Sequence, residues 1–253
     1  MTVETTRLPD APQGAEAVAL PTGTGLRAGL SLVPAGSMAL SRRGTDPWHA
    51  RFLRAHDVPA DTACSVHQVH SQRVLVVDAA TAIAALPLND ADGMITDRDG
   101  VFLTVTVADC LPIILEDTAG PAFGLVHSGW RGTGIVLEAL RLMASRYGTR
   151  ASNVRATIGP GIGACCYAVP EERARLFASA YGPGSVVREH GVKDGAPRLD
   201  LRAANLVLLG RVGVASVTVV SDCTSCTAAL GSFRRQGPEA FTLMLAYVGR
   251  GRA

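Results

Sequence analysis

Three observations in the sequence predict an α/β protein. Residues 101–107 alternate strictly, with Val101, Leu103, Val105 and Val107 on one face and Phe102, Thr104 and Thr106 on the other, the period-two pattern of a strand. Two apolar runs, 111–115 and 122–126, flank the turn-forming stretch Glu116-Asp117-Thr118-Ala119-Gly120-Pro121 and read as a hairpin. Helical spacing follows at once, at Val136, Ala139, Leu140 and Met143. Strand and helix signals continue to alternate to the C-terminus. With 253 residues and 47% hydrophobic content, the chain supports a sizeable core, as one large domain or two small ones.

In chain order, residues 1–20 read as a loose tail, because Pro9, Pro12, Gly14 and scattered charge interrupt any pattern. Residues 46–56 read as a helix with an apolar stripe of Trp48, Phe52 and Leu53, closed by Pro59; His49 and His56 are its solvated or packed side chains. Residues 66–77 are strand-like and carry His67 and His70. Their odd spacing sends them to opposite faces, so only one can join a shared site. The strand at 101–107 stops at Ala108-Asp109-Cys110. A hairpin turn centred between Thr118 and Ala119 sets Cys110 directly opposite His127, with Cβ atoms about 5 Å apart. A slip of one residue would undo that pairing.

Residues 156–158 end a buried strand. The following Gly159-Pro160-Gly161-Ile162-Gly163 departs from the dinucleotide GxGxxG in its third spacing, and no helix with an acidic partner at the right distance follows. It reads as a tight turn, or as a loop that shapes a pocket and offers Tyr167 to a substrate. Residues 170–180 form a helix and 181–198 a polar excursion. A helix capped by Asp200 runs to Leu209, and 214–221 is a buried strand.

A thiolate beside an imidazole has three explanations: a metal site, a nucleophile with its base, or burial of a small hydrophobe. After His127, Ser128-Gly129-Trp130-Arg131-Gly132-Thr133-Gly134 makes a glycine-rich strand-to-helix turn. Such a turn offers backbone N–H groups to an anion, and Arg131 adds a forked cation. Trp130 either stacks on a planar base or fills core. Asp109 orients a ligand, moves a proton or caps a strand end. Arg234 and Arg235 are solvated charge or, with Arg131, contacts for phosphate and ribose.

The six cysteines are expected as thiols, since the chain is large and shows no secretion signal. Cys165 and Cys166 are adjacent. Cys223 and Cys226 have CxxC spacing, but a zinc ribbon needs a second such pair and a thioredoxin-like site its own βαβ context, so a structural or site-lining role is expected. With 24 basic and 22 acidic residues the net charge is +2, which gives no general grip on nucleic acid. Any anion is held locally. The absence of a signal segment and of an apolar run near the roughly 20 residues needed to span a bilayer predicts a cytoplasmic protein that does not engage membranes.

The segments ADGMIT, TVADCLPIIL, HSGWRGTG, IGPGIGACCYAV and the upstream QVH resemble the laccase-domain or polyphenol oxidase family, YfiH-like proteins described as zinc-dependent purine nucleoside phosphorylases. The resemblance runs from about Val66 to the C-terminus; before it, Ala28-Gly29-Leu30-Ser31 is a faint echo of a family segment. It implies a single domain over residues 21–253, with α-β-β-α layers and mixed sheets, similar to certain cysteine deamidase toxins. It also implies that His70, Cys110 and His127 bind Zn2+; on the reading of the residues themselves, Cys110, His127, Asp109 and Arg131 are the catalytic candidates and Trp130, Tyr167, Arg234 and Arg235 the substrate-binding ones. The expected reaction is phosphorolysis of adenosine, inosine, guanosine and methylthioadenosine, with adenosine deamination as a side activity and a monomer compatible with it. Ser71, Ala168 and Pro238-Glu239-Ala240 depart from the family pattern.

Three alternatives stand beside this reading. A Cys110/His127 hydrolase or amidase would act on peptidoglycan precursors, and a regulator would bind nucleotide without turnover. A copper polyphenol oxidase is disfavoured, because a multicopper cluster needs more than six histidines and His49, His56 and His190 lie outside the motifs.

Overall fold

The computed structural model of the protein describes residues 1–23, 25–41, 44–45, 47–188 and 195–251. In chain order its strands are β1 (Thr2–Thr6), β2 (Ala17–Ala19), β3 (Arg27–Ser31), β4 (Leu40–Ser41), β5 (Gly44–Thr45), β6 (Ala63–Cys64), β7 (Val74–Val76) and β8 (Gly93–Thr96). They continue with β9 (Phe102–Val107), β10 (Leu111–Asp117), β11 (Phe123–Ser128), β12 (Val154–Ile158), β13 (Val186–Val187), β14 (Arg198–Leu199), β15 (Ser216–Val220) and β16 (Met244–Gly249). The helices are α1 (Pro47–Ala55), α2 (Ile135–Tyr147), α3 (Glu171–Tyr181), α4 (Leu201–Arg211) and the short α5 (Phe233–Gln236).

Two mixed sheets carry the fold. The larger has seven strands in the order β1-β15-β12-β10-β11-β8-β7, and the smaller has five in the order β2-β3-β16-β9-β6. Alternation along each strand decides which layer a residue joins. Leu103, Val105 and Val107 of β9 pack with Ala246 and Val248 of β16 against Ile114, Phe123 and Leu125 of the large sheet, closing the core between the sheets. Ile113, Leu115 and Val126 point the other way, onto Ile135, Ala139 and Met143 of α2 and Leu208 of α4. Phe102 and Leu245 face outward beneath Phe52 and Leu53 of α1. The layers are therefore α-β-β-α, and β10 and β11 are buried on both faces, as a run without polar alternation requires.

Three expectations change. The first twenty residues are not a loose tail: Thr2–Thr6 pairs in parallel with β15, from Thr2↔Ser216 to Thr6↔Val220, and Ala17–Ala19 pairs with β3. The β-branched run Thr-Val-Glu-Thr-Thr suits a strand, while Pro9, Pro12 and Gly14 fall in the connection that follows. The strand expected over 66–77 is confined to Val74–Val76, and the histidines precede it on a loop. In α1, Phe52 and Leu53 are buried but Trp48 is exposed. Asp46, the expected start of that helix, and His190 lie outside the described residues. Among the described residues no helix is long and apolar enough to cross a membrane.

Candidate metal centre and ligand cavity

Cys110 sits where the chain leaves the small sheet at Val107 and enters the large one at Leu111. Asp109 makes that passage with φ 87°, a left-handed conformation that is uncommon outside glycine. Two bonds hold its carboxylate there: Thr224 Oγ1 donates to Oδ1 at 2.6 Å and the Arg234 N–H to Oδ2 at 2.7 Å. Its carbonyl accepts the Ile162 N–H at 2.8 Å.

The hairpin register differs from expectation. Leu111 pairs with Ser128 and Pro112 with His127, so the turn is centred one residue later, between Ala119 and Gly120. Each strand is shifted by one residue, and parity survives: Cys110 and His127 remain on one face as diagonal neighbours rather than direct partners. The position facing Cys110 is Gly129, where a Cβ would lie 2.6 Å from the cysteine sulfur and 3.5 Å from His70 Cδ2. Only glycine leaves room for the thiol.

His70 arrives from the loop before β7, also left-handed, with φ 60°. Asp92, at the start of β8, sets that loop. It is fully buried and accepts from the backbone N–H groups of Val69, His70 and Ser71 at 3.2, 2.9 and 2.6 Å and from the Ser71 hydroxyl at 2.8 Å. Its Oδ1 also lies 2.9 Å from Nδ1 of His127. One carboxylate thus orients two imidazoles, and taking Nδ1 of His127 leaves Nε2 for the cavity. Burial opposes the charge on Asp92, but the bonds from His127 and Ser71 outweigh it and bring its pKa down to about 2.

The donor atoms of His70, Cys110 and His127 all lie within 4.8 Å of one another, and the two rings are 4.9 Å apart, steeply inclined. Burial resists ionisation of Cys110, yet the charge of His127 and bonds from both imidazoles draw its pKa below that of an ordinary thiol. Burial likewise works against charge on His127, and Cys110 and Asp92 hold its pKa up. A soft thiolate and two imidazoles at this spacing fit a metal with three protein ligands and an open position. His67 lines the same cavity but does not join the trio; its Nδ1 lies 2.8 Å from Asp90.

The trio opens onto a cavity of about 610 Å³, within the range of small-molecule sites. Asp109, Trp130, Tyr167 and Arg234, all candidates from the sequence, line it together with Arg173, Phe233 and Phe241, which sequence reasoning missed. Arg173 lies 4.3 Å from the centroid of Trp130 and Arg234 5.5 Å from that of Tyr167. Arg234 is fixed by the carbonyls of Cys166 and Ala168. Burial pushes the Tyr167 pKa up to about 12, so its phenol stays a donor.

Two expected substrate contacts are not brought there. Arg131 is exposed beside Trp130 and does not line the cavity, because the turn after β11 points it outward. The Arg235 guanidinium binds the carbonyls of Thr224, Thr227 and Leu230, tying the loop after β15 to α5. Its work is structural. Asp92 also went unassigned; the signal available was an acid at the head of a buried strand. Ser71, a departure from the family pattern, gives that acid an extra donor.

The chain matches the family described as multi-copper polyphenol oxidoreductase laccase over residues 44–249. It is 35% identical to purine nucleoside phosphorylase YlmD of Geobacillus stearothermophilus over 177 residues, 68% of this chain and 63% of that one. It is 34% identical to purine nucleoside phosphorylase LACC1 of Mus musculus over 143 residues, 53% of this chain and 32% of that one. Adenosine deaminase RL5 of an unknown prokaryotic organism is 30% identical over 179 residues, 67% of this chain and 68% of that one. The chain thus spans less than two thirds of the mouse and Geobacillus relatives. The crystal structure of YlmD from Geobacillus stearothermophilus superposes with a TM-score of 0.80 at 29% identity, covering 90% of this chain and 93% of that one.

Proposed function

The chain belongs to the multi-copper polyphenol oxidoreductase laccase family, and on that premise we propose that it is a zinc-dependent purine nucleoside phosphorylase with adenosine deamination as a side activity. The observation that carries this reading is the convergence of two imidazoles and one thiolate at a cavity lined by aromatic faces and two guanidinium groups. The names of its relatives support a nucleoside phosphorylase-like enzyme, and one of them is named an adenosine deaminase. Zinc rather than copper suits the donor set, because among the described residues only two histidines join the cluster.

His70, Cys110 and His127 would hold the ion, which when bound supplies Lewis-acid polarisation of an oxygen at the open position. The chain's own residues do the rest. Trp130, Tyr167, Phe233 and Phe241 offer planar faces to the purine. Arg234, already braced by two carbonyls, and Arg173 hold phosphate so that an oxygen faces the anomeric carbon while the bond to the purine nitrogen breaks. The protonated Tyr167 phenol donates to a ribose or base acceptor. Asp109 touches the cavity wall but spends both oxygens on Thr224 and Arg234, so it positions the phosphate-binding arginine.

Incubating zinc-loaded protein with inosine, adenosine, guanosine or methylthioadenosine, with and without phosphate, tests the reading. Free base and sugar 1-phosphate are expected in equal amounts; base release indifferent to phosphate overturns it. A second reading rests on the order Cys110, His127, Asp92, which also suits a nucleophile, its base and an orienting acid. That hydrolase would accumulate a thioester on Cys110 with acyl or amide substrates. A phosphorylase would show none.

A further inference from the structure

Four cysteines outside the cavity meet at one point. Cys165 and Cys166 lie on the loop after β12, and Cys223 and Cys226 on the loop after β15. These strands are parallel neighbours, Arg155↔Ser216 to Ile158↔Val219, so both loops leave the same end of the sheet side by side, joined by a bridge between Gly161 and Cys223. The four sulfurs all lie within 4.8 Å of one another, with Cys226 at 3.7 Å from Cys165 and 3.4 Å from Cys166. Tetrahedral zinc with Zn–S bonds of about 2.3 Å sets sulfurs roughly 3.8 Å apart. The observed separations approach that value, and they are too long for S–S bonds of about 2.05 Å.

We propose that Cys165, Cys166, Cys223 and Cys226 form a second, four-thiolate site that binds zinc for structure, distinct from the three-ligand centre. The surroundings suit an anionic cluster. The Gly163 N–H donates to the Cys223 sulfur at 3.2 Å, and Gly163 packs closely on the cluster, where a Cβ would lie 3.1 Å from the Cys165 sulfur. The largely buried Arg202 guanidinium, held by the carbonyls of Gly161, Val220 and Asp222, supplies positive charge alongside Cys223 and Cys165. Cys165 and Cys226 are exposed, so an ion can enter from solvent. On binding, the thiol protons pass to solvent and all four sulfurs are used, leaving no open position; such a site holds structure.

The cross-link would fix what the cavity needs. Tyr167 follows Cys166 directly, and Thr224, the hydroxyl partner of Asp109, follows Cys223. The second pair that CxxC requires is supplied by the neighbouring loop, out of reach of sequence spacing.

Metal analysis of the whole protein, purified under reducing conditions and reconstituted with zinc, tests the site. About two zinc ions per chain are expected, falling to about one in Cys226→Ser and, independently, to about one in His70→Ala. Cobalt substitution of the His70→Ala protein should give the d–d bands of tetrahedral tetrathiolate Co(II), and Cys226→His should restore the second zinc. A zinc count that is the same in the native protein and in Cys226→Ser, no tetrathiolate bands in cobalt-substituted His70→Ala, or mapped disulfides among these cysteines after reducing purification would overturn the proposal. If Cys226→Ser fails to fold, the cobalt spectrum of His70→Ala decides alone.

Discussion

Asp92 is not one of the three candidate metal ligands, yet it determines where two of them stand. Five groups converge on its carboxylate, so the conformation of residues 69–71 and the tautomer of His127 depend on one acid. Replacing it with Asn leaves one acceptor oxygen where two work. Asp92→Asn is expected to weaken zinc about 10–100-fold, read by competition with a chelating dye, with the fold retained by circular dichroism. Gly129→Ala should be harsher on the ion, because its methyl would overlap the Cys110 sulfur; unchanged metal content in that variant would contradict the close approach. Parity made the Cys110 and His127 pairing legible from sequence, since it survived a turn displaced by one residue. Asp92 was not legible, because three of its five partners are backbone N–H groups more than twenty residues away, which leave no side-chain pattern.

At the scale of elements, the site is a junction of loops held by strands that are buried on both faces. Leu125 of β11 is fully buried between the sheets two residues before His127, so Leu125→Ala should cost about 2–5 kcal/mol in urea unfolding. The two arginines of α5 separate cleanly. Arg234→Ala should raise KM for phosphate with a smaller loss of stability than Arg235→Ala, because its bonds to the carbonyls of Cys166 and Ala168 are solvent-exposed. Arg235→Ala should lower stability by about 1–3 kcal/mol, because several carbonyls lose their donor, and leave KM nearly unchanged. The reverse outcome would exchange their roles. Adjacent residues in one helical turn point about 100° apart, and sequence gave no phase for that turn. Hence sequence alone does not separate Arg235 from Arg234, nor show that Arg173 of α3 reaches the cavity. The strand over Thr2–Thr6 was hidden for a related reason: its partner, β15, comes over two hundred residues later.

For the whole molecule, β9, the β10–β11 hairpin and α2 were legible because periodicity is local, whereas the α-β-β-α layering followed from the family resemblance. What brings chemistry together is not local. Three segments supply the trio and a fourth supplies Asp92, and their meeting depends on the chain crossing between sheets at Ala108–Cys110. Removing the ion should therefore affect more than turnover, since it leaves a thiolate and imidazoles to share charge in a buried corner. Chelated protein is expected to melt at a lower temperature than zinc-loaded protein in calorimetry, with recovery on adding zinc back. The most direct test follows inosine by chromatography, using native and His70→Ala protein with zinc, with and without phosphate. Ribose 1-phosphate and hypoxanthine should appear together, only with phosphate, and only from the native protein; equal turnover by His70→Ala, or hypoxanthine released as fast without phosphate, would contradict a metal-assisted phosphorylase.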